Sequence, residues 1–234
     1  MTDNKQNPPF QVLIVGSGKL ASELLENLKS HSISVVFPWA QRNLLHEGRK
    51  VVVHAGSGRE LAGVISFCSQ GNSILMELST RGNLEVSKLS FPTILCPNIN
   101  ILMLKFMAML ESHGHQFQEY EKTILESHQA TKTSNPGTAI NIASSLGVKT
   151  EQIIPVRDPK IQENELGIPS DFLSRHAYHK ISIADANVSI TLEAKVLGPA
   201  PYSSGLARII EGISGRDLEP KVYEVLEFIH NGWV

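Results

Sequence analysis

The feature that most constrains the fold is an apolar segment that runs directly into a glycine-rich turn. Residues 12–15 read Val-Leu-Ile-Val and are followed by Gly16-Ser17-Gly18-Lys19-Leu20-Ala21. A continuous apolar run of this kind is typical of a buried parallel strand. In Gly-x-Gly-x-x-Ala, the first glycine allows a tight turn, the second lets the backbone approach a pyrophosphate, and the small third residue lets the helix pack on the strand. The segment therefore predicts a dinucleotide-binding turn, in which Gly16, Ser17, Gly18, Lys19 and Leu20 contact the cofactor.

Further apolar strand candidates alternate with helix candidates up to residue 100. The strand candidates lie at 33–37, 51–54, 73–76 and 93–95. This alternation indicates a parallel sheet with right-handed crossovers. The pattern then changes to a helix at 101–111, strand-like alternation over 115–127, a helix at 138–146, and antiparallel strand candidates at 181–184 and 188–196. The chain is expected to end in two amphipathic helices near 205–213 and 220–230.

These segments predict an α/β fold, in which a Rossmann-type parallel-sheet nucleotide-binding domain carries an inserted α+β domain for substrate binding and oligomerisation. We expect the nucleotide-binding domain to comprise residues 1–101 plus 204–234, and the inserted domain to comprise residues 102–203. The alternating strands of the inserted domain are candidates for contacts between subunits.

Charge and cysteine usage exclude several classes of function. The net charge is −2, so no strong field attracts nucleic acid or an anionic membrane surface. No apolar run is long enough to span a bilayer. The two cysteines, Cys68 and Cys96, lack the spacing of a metal site or a disulfide framework, and they are interpreted as reduced core thiols. We expect a cytoplasmic protein without a bound metal.

The choice between NADPH and NADH depends on the end of the second strand. A site that prefers NADH usually has an acidic residue there, which binds the ribose 2′-hydroxyl. Here the segment reads Val-Val-Phe-Pro-Trp over 35–39, and the nearest charged side chain is Arg42. Arg42 could bind a 2′-phosphate with help from Lys19, or it could be a solvated loop charge. The segment therefore favours NADPH and leaves NADH open.

A second motif places a titratable imidazole, a cation and a helix start within one loop. Residues 126–139 read ESHQATKTSNPGTA and contain His128, Lys132, Gly137 and Thr138. Histidine can donate a proton near neutral pH, and lysine can bind a carboxylate as a point charge. Backbone N–H groups at the start of the next helix can bind a second anion. The loop suits a small anionic substrate that must be protonated. His176 and His179 are either walls of the same site or packing residues.

This loop resembles the signature E-x-H-H-x-x-K-x-D-x-P-S-G-T-A of the dihydrodipicolinate reductase (4-hydroxy-tetrahydrodipicolinate reductase) family of lysine and diaminopimelate biosynthesis. Residues 97–100 (Pro-Asn-Ile-Asn) and 156–157 (Val-Arg) are similar to further motifs of the family. The resemblance implies that His128 is the proton donor, that Lys132 is the cationic partner, and that Gly137 and Thr138 bind a carboxylate. It also implies cofactor contacts from Ser79, Thr80, Pro97 and Asn98, and a homotetramer.

The chain departs from the family pattern at three positions that bear on the substrate and the cofactor. Gln129 replaces a substrate-binding histidine, Pro136 replaces the serine before Gly-Thr, and Leu78 replaces a glycine beside the nicotinamide. Gln129 can still bind substrate through hydrogen bonds. The expected reaction is the NAD(P)H-dependent reduction of a small dicarboxylate, 4-hydroxy-tetrahydrodipicolinate. The alternatives are a related reductase of another cyclic imine or enamine acid, and a non-catalytic NADPH-binding sensor.

Overall fold

The structure is a computed structural model that describes residues 7–71, 73–79, 89–133 and 136–234. The chain divides into two compact units, one formed by Met1–Leu104 with Tyr202–Val234 and one by Lys105–Pro201. The strands of the described residues are β1 (Phe10–Val15), β2 (Ile33–Pro38), β3 (Lys50–His54), β4 (Ile74–Glu77), β5 (Thr93–Leu95), β6 (Glu121–His128), β7 (Ile154–Val156), β8 (Ala177–Ala184), β9 (Ser189–Val196) and β10 (Val222–Glu224). The α-helices are α1 (Lys19–Asn27), α2 (Leu61–Gly71), α3 (Ile101–His113), α4 (Gly137–Ser145), α5 (Pro159–Asn164), α6 (Ser203–Ser214) and α7 (Val225–His230).

The first unit contains a six-stranded parallel sheet with the order β10-β5-β4-β3-β1-β2. All residues of β1 and β4 are buried, which explains why positions 12–15 and 74–76 are uninterrupted apolar runs rather than alternating ones. β2, which follows β1 in the chain, pairs with one edge of β1, whereas β3 pairs with the other edge. The strand order therefore reverses between β1 and β3, and the carboxyl ends of these strands flank the crevice where such sheets bind ligands.

The C-terminal segment joins the first unit through a polar contact and a close backbone approach. The carboxylate of Glu23 on α1 is buried and accepts hydrogen bonds from the backbone N–H groups of Tyr202 (2.7 Å) and Ser203 (2.9 Å) at the start of α6. A Cβ atom on Gly205 would lie 1.8 Å from the carbonyl oxygen of Ile99. Only glycine permits α6 to pack this closely on the segment after β5.

The second unit contains a mixed four-stranded sheet with the order β7-β6-β8-β9. β6 pairs in parallel with β7 and antiparallel with β8, and β8 forms a hairpin with β9. The hairpin turn is held by Asp185, whose Oδ1 accepts the N–H groups of Asn187 and Val188, both at 2.8 Å. The parallel sheet and the second, mixed sheet confirm the predicted fold class.

Two predicted segments differ from the structure. The strand expected over 115–127 begins only at Glu121, because Gly114–Phe117 form a 3-10 helix after α3. The helix expected over 220–230 instead contains β10 followed by α7. β10 has only three residues and pairs with β5, so its strand conformation is set by the neighbouring strand rather than by a period of its own. No helix in the described parts of the chain combines the length and apolarity needed to cross a bilayer.

Candidate active site

The glycine-rich turn forms one wall of a cavity at the carboxyl edge of the parallel sheet. The cavity has a volume of about 270 Å³ and is lined by residues 16–18, by residues 55–57 after β3, and by Arg59 and Glu60. It lies at the reversal of strand order between β1 and β3. A pyrophosphate is expected in such a crevice, where the N–H groups at the start of the helix after β1 point toward it.

The two glycines of the turn have different physical roles. Gly16 has a φ of +127°, and a Cβ atom there would lie 2.7 Å from the carbonyl oxygen of Ala55. Gly16 is therefore required for the turn itself. Gly18, the N-cap of α1, has an ordinary φ of −82°, and a Cβ atom there would meet nothing of the described chain within 4 Å. Gly18 leaves open space beside the cavity, which is the arrangement that a closely approaching pyrophosphate needs.

The other described residues expected to bind cofactor occupy the same edge of the sheet but are not among the cavity's lining residues. Lys19 and Leu20 begin α1 directly after the turn. Ser79 follows β4 and donates its backbone N–H to Glu77 Oε1 at 2.7 Å. Pro97 and Asn98 follow β5, and Asn98 Oδ1 accepts the N–H of Asn100 at 2.8 Å. Thr80 lies outside the described residues.

Arg42 is held against an aromatic ring. Its guanidinium carbon lies 4.7 Å from the centroid of the Trp39 ring, and Nη1 donates to the Trp39 carbonyl oxygen at 3.2 Å. The arginine that lines the cavity is Arg59, whose Nε donates to Ser57 Oγ at 3.1 Å. The sequence analysis did not select Arg59. The glycine-rich run Gly56-Ser57-Gly58 after a strand is the signal that could have identified it.

In the second unit, His128 is the last residue of β6 and is fixed by a buried carboxylate. Its Nδ1 lies 2.7 Å from Oε2 of Glu126, whose side chain is fully buried. A carboxylate at neutral pH can only accept, so Nδ1 carries the hydrogen and Nε2 is the nitrogen that can exchange a proton with a ligand. The His128 side chain is 13% exposed, which leaves it accessible from one side.

Arg157 binds the other oxygen of the same carboxylate and connects it to the loop of Lys132. The Arg157 guanidinium forms a short ion pair with Glu126 Oε1, and its Nε donates to the Lys132 carbonyl oxygen at 2.9 Å. Burial alone raises the pKa of Glu126, but the hydrogen bonds from His128 and Arg157 outweigh it and hold this pKa below its ordinary value. Glu126 is thus ionised and orients both the catalytic candidate and the loop that carries the cation.

The side chain of Gln162, on α5, holds the end of β6 through hydrogen bonds. This fully buried side chain donates through Nε2 to the carbonyl oxygens of His128 (2.7 Å) and Val156 (3.1 Å). It therefore holds together the ends of two parallel strands, β6, which ends in His128, and β7, which Arg157 follows directly. A single glutamine in a short helix gives no sequence signal for such a role.

His176 and His179 are buried and pack beside His128. The His176 ring stacks at 6.5 Å from the His128 ring and the His179 ring lies edge-on at 5.8 Å, as measured between centroids. His176 is held by Ser127 Oγ (2.9 Å) and the Phe172 carbonyl oxygen (3.1 Å). Burial, followed by the proximity of His128, lowers the pKa of His179 to about 4, and burial also lowers the pKa of His176. Both rings are therefore neutral at pH 7.

The remaining expected substrate residues follow His128 along the chain. The N–H of Lys132 donates to the Gln129 carbonyl oxygen at 2.9 Å, which closes a tight turn after β6. Gly137 and Thr138 are the first two residues of α4, with Pro136 as the N-cap and the Thr138 side chain buried. Their backbone N–H groups belong to the first turn of a helix, the place where anions bind.

Comparison with known proteins identifies relatives of one kind. The chain is 28% identical over 153 residues to 4-hydroxy-tetrahydrodipicolinate reductase 1, chloroplastic, of Arabidopsis thaliana, a match that covers 59% of this chain and 44% of that protein. It is 28% identical over 185 residues to a probable 4-hydroxy-tetrahydrodipicolinate reductase 1, chloroplastic, of Oryza sativa subsp. japonica, covering 71% of this chain and 54% of that protein. The chain thus spans about half the length of the curated relatives it matches. No family model matches it.

A solved structure shares the fold. Dipicolinate-bound dihydrodipicolinate reductase from Paenisporosarcina sp. TG-14 superposes with a TM-score of 0.63 at 17% identity, over 94% of this chain and 99% of that one. The likeness in fold extends over nearly the whole of both chains.

Proposed function

Since the chain is related in sequence to the 4-hydroxy-tetrahydrodipicolinate reductases, we propose that it is an NAD(P)H-dependent oxidoreductase with the same reaction. The substrate, 4-hydroxy-tetrahydrodipicolinate, would take up a hydride and a proton and lose water, giving tetrahydrodipicolinate, NAD(P)⁺ and water. The product would serve lysine and diaminopimelate biosynthesis. The proposal is supported by the curated relatives together with the spacing of His128, Lys132 and Gly137 in one loop.

The cofactor would be held by the turn at residues 16–18 and by the turn at residues 55–57. The open space at Gly18, the strained backbone of Gly16 and the N-terminus of α1 fit a pyrophosphate. The bound nicotinamide supplies the hydride. NADPH is favoured over NADH for two reasons. Arg42 follows β2 and Arg59 lines the cavity, so both can offer positive charge to a 2′-phosphate. β2 ends in Phe37 and Pro38, without the acid that would bind a 2′-hydroxyl.

His128 would donate the proton from Nε2, because Nδ1 is engaged with Glu126. The Lys132 ammonium would bind one substrate carboxylate, and the N–H groups of Gly137 and Thr138 would bind the other. Gln129 would add a hydrogen bond where the family has a histidine. Holding both carboxylates fixes the ring relative to the proton donor, and such orientation accounts for a large part of the rate in reactions of this kind.

The observation that carries the proposal is the hydrogen-bond system of Glu126, His128 and Arg157. An ordinary surface histidine is not held by a fully buried carboxylate that an arginine also binds. The system fixes the ring of the proton donor, and the arginine fixes the backbone of the residue that supplies the cation. Preorganised groups of this kind are what proton transfer to a bound anion requires.

The proposal is tested by following NADPH absorbance with enzymatically prepared 4-hydroxy-tetrahydrodipicolinate. Wild-type protein should oxidise NADPH, and His128→Gln should be slower in kcat by about 10²- to 10⁴-fold, the usual contribution of a general acid. NADPH binding by both proteins should be equal. Absence of turnover by the wild type, or equal rates for the two proteins, would contradict the proposed reaction.

Gln129 and Pro136 favour one alternative substrate class. Gln129 carries no charge where the family signature has a histidine, so the pocket is less cationic, and Pro136 offers no N–H to an anion. A related reductase of a simpler cyclic imine acid, with one carboxylate instead of two, would fit this change. Comparing kcat/KM for 4-hydroxy-tetrahydrodipicolinate with that for simple cyclic imine acids discriminates between the two. Tight NADPH binding without turnover of either substrate would support the non-catalytic sensor.

The assembly and location of the protein are part of the same proposal. We propose a homotetramer built through the second unit, in which Val188 (61% exposed) and Ile190 (44% exposed) place apolar side chains on the hairpin strand β9 and its turn. Light scattering of the purified protein measures the mass directly. We also propose a cytoplasmic location, which cell fractionation with an antibody to the protein tests.

A further inference from the structure

A buried histidine–glutamate pair lies at the carboxyl ends of two neighbouring parallel strands. His54 ends β3 and Glu77 ends β4, and the two residues are direct partners in the register of the sheet. His54 Nδ1 lies 2.8 Å from Glu77 Oε1 and 2.7 Å from Oε2. The side chains are 0% and 2% exposed. Most strand ends in a parallel sheet bury apolar residues, so a fully buried ionisable pair here is unusual.

The second nitrogen of the histidine ring has no partner in the described part of the chain. His54 Nε2 is buried without a hydrogen-bond partner, and so is Oε2 of Glu60. A Cβ atom built on Gly56 would lie 3.1 Å from His54 Nε2 and 3.4 Å from Glu60 Oε2. Both orphaned polar atoms therefore flank Gly56, and Gly56 and Glu60 line the cavity beside the glycine-rich turn. Buried polar atoms without partners cost free energy unless a ligand satisfies them.

The charges around these atoms select the kind of ligand group. Glu60 and Glu77 are both carboxylates, so a phosphate at this point would meet like charges. A hydroxyl group can donate to Glu60 and also donate to or accept from His54 Nε2. A pair of neighbouring hydroxyls on a sugar would satisfy both orphaned atoms together, which a single amide group does less well.

The topology of the sheet indicates which sugar this is. In folds of this type the pyrophosphate lies at the start of the helix after β1, and the adenosine ribose binds at the end of the next strand, β2. The nicotinamide half of the cofactor must then extend to the other side of β1. The ends of β3 and β4, where His54 and Glu77 lie, are on that side.

We propose that His54 and Glu60 bind the hydroxyl groups of the nicotinamide-side ribose, and that Glu77 is a positioning residue that holds the His54 ring. This inference rests on the proposed use of a nicotinamide cofactor. Glu77 also accepts the backbone N–H of Ser79 at 2.7 Å, so the same carboxylate fixes the second residue after β4. The pair thereby couples the ribose contact to the segment that follows β4.

The test compares ligands that lack successive parts of the cofactor. NADPH, 2′-phospho-ADP-ribose and 2′,5′-ADP are titrated by calorimetry against wild type and His54→Asn. The Asn amide nitrogen occupies the position of Nδ1 and keeps the hydrogen bond to Glu77, whereas the group at Nε2 is lost. We expect His54→Asn to bind NADPH and 2′-phospho-ADP-ribose about fivefold more weakly, as for one lost hydrogen bond, and 2′,5′-ADP with unchanged affinity.

Glu60→Ala and Glu77→Gln complete the set. Glu60→Ala changes a half-buried side chain outside the sheet, so it keeps the inference testable if His54→Asn folds poorly, and it should give the same pattern of losses. Glu77→Gln frees the His54 ring and should weaken the two ribose-containing ligands with no effect on 2′,5′-ADP.

The outcomes separate this inference from the proposed function. Wild type that binds neither NADPH nor NADH overturns both. Wild type that binds NADPH, with His54→Asn and Glu60→Ala unchanged for all three ligands, overturns the ribose contact alone. Loss confined to NADPH, with 2′-phospho-ADP-ribose unchanged, also overturns it, because the contact would then be to the nicotinamide ring. Equal loss for all three ligands would mean a general distortion of the cavity and would overturn it as well.

Discussion

Oε2 of Glu126 lies 2.7 Å from Nδ1 of His128, two positions further along β6. Residues i and i+2 of a strand point to the same face, so the strand itself places the carboxylate beside the imidazole. Burial of the carboxylate strongly favours the contact, since leaving the charge unpaired there would cost free energy. A histidine held in this way has a fixed tautomer, and the nitrogen that faces a ligand is decided before the ligand binds.

Replacement of Glu126 by glutamine should reduce turnover without abolishing cofactor binding. The amide has the same shape but no charge, so it holds the His128 ring less firmly and leaves Arg157 without its ionic partner. We expect kcat to fall about 10- to 100-fold with a smaller change in KM. Steady-state kinetics with NADPH measure this. NADPH affinity, determined by fluorescence titration, is the control and should be unchanged. A kcat equal to that of wild type would contradict the orienting role.

The two glycines of the first turn should respond differently to alanine. Gly16→Ala forces a side chain into a φ of +127° and against the Ala55 carbonyl oxygen at 2.7 Å, so it should lower the free energy of unfolding by more than about 1 kcal/mol. Gly18→Ala meets no described atom within 4 Å, so its stability should stay within about 0.5 kcal/mol of wild type. The measurement is urea unfolding of both variants.

Binding separates the same two variants more sharply. Gly18→Ala places a methyl group where the pyrophosphate is expected, so NADPH affinity should fall at least tenfold although the fold is intact. A Gly18→Ala protein that binds NADPH as tightly as wild type would show that the cofactor lies elsewhere.

The stability of the protein should fall as the pH is lowered from about 6.5 to 4. Burial and the nearby His128 lower the pKa of His179 to about 4, against an ordinary value of about 6.5 in the unfolded chain. Between these values the unfolded state binds more protons than the folded state, so the free energy of unfolding increases with pH. The full contribution corresponds to about 3 kcal/mol, at 1.36 kcal/mol per pKa unit.

Urea unfolding at several pH values measures this dependence. His179→Gln removes this titrating group and should reduce the slope between pH 6.5 and 4, while His176, whose pKa is also lowered by burial, retains part of it. The lowered pKa of Glu126 contributes a further loss only below its unfolded value, near pH 4.5. An unchanged slope in His179→Gln would show that the pKa of His179 is not lowered in the folded protein.

Both thiols should be unreactive in the native protein. Cys68 and Cys96 are buried, and burial raises the pKa of Cys68 to about 12 and that of Cys96 further still. Only the thiolate reacts with disulfide reagents, so labelling at pH 8 should require local opening of the fold. A colorimetric thiol assay should detect no rapid reaction in buffer and two thiols per chain in denaturant. Rapid labelling of a native thiol would contradict its burial.

Repetitive local patterns allowed much of the fold to be predicted from the sequence. Positions 12–15 of β1 form a continuous apolar run because both faces of the sheet are covered, and such a run is visible without any structure. β10 was missed because a strand of three residues has no period and is defined only by pairing with β5. Positions 115–120 have a strand-like pattern because polar and apolar residues also alternate in the 3-10 helix and turn that follow α3.

The segment at 126–139 can be recognised from the sequence because its candidate functional groups lie within fourteen neighbouring residues. The glycine-rich turn can be recognised for the same reason. The partners of these segments are distant in sequence. Arg157 binds Glu126 although the two are 31 positions apart in the sequence, and His54 binds Glu77 across 23 positions. Hydrogen bonds and ion pairs depend on distance in space, which sheet pairing sets. The sequence by itself therefore determined most of the elements and the candidate reacting groups, and the tertiary structure decided which buried charges orient them.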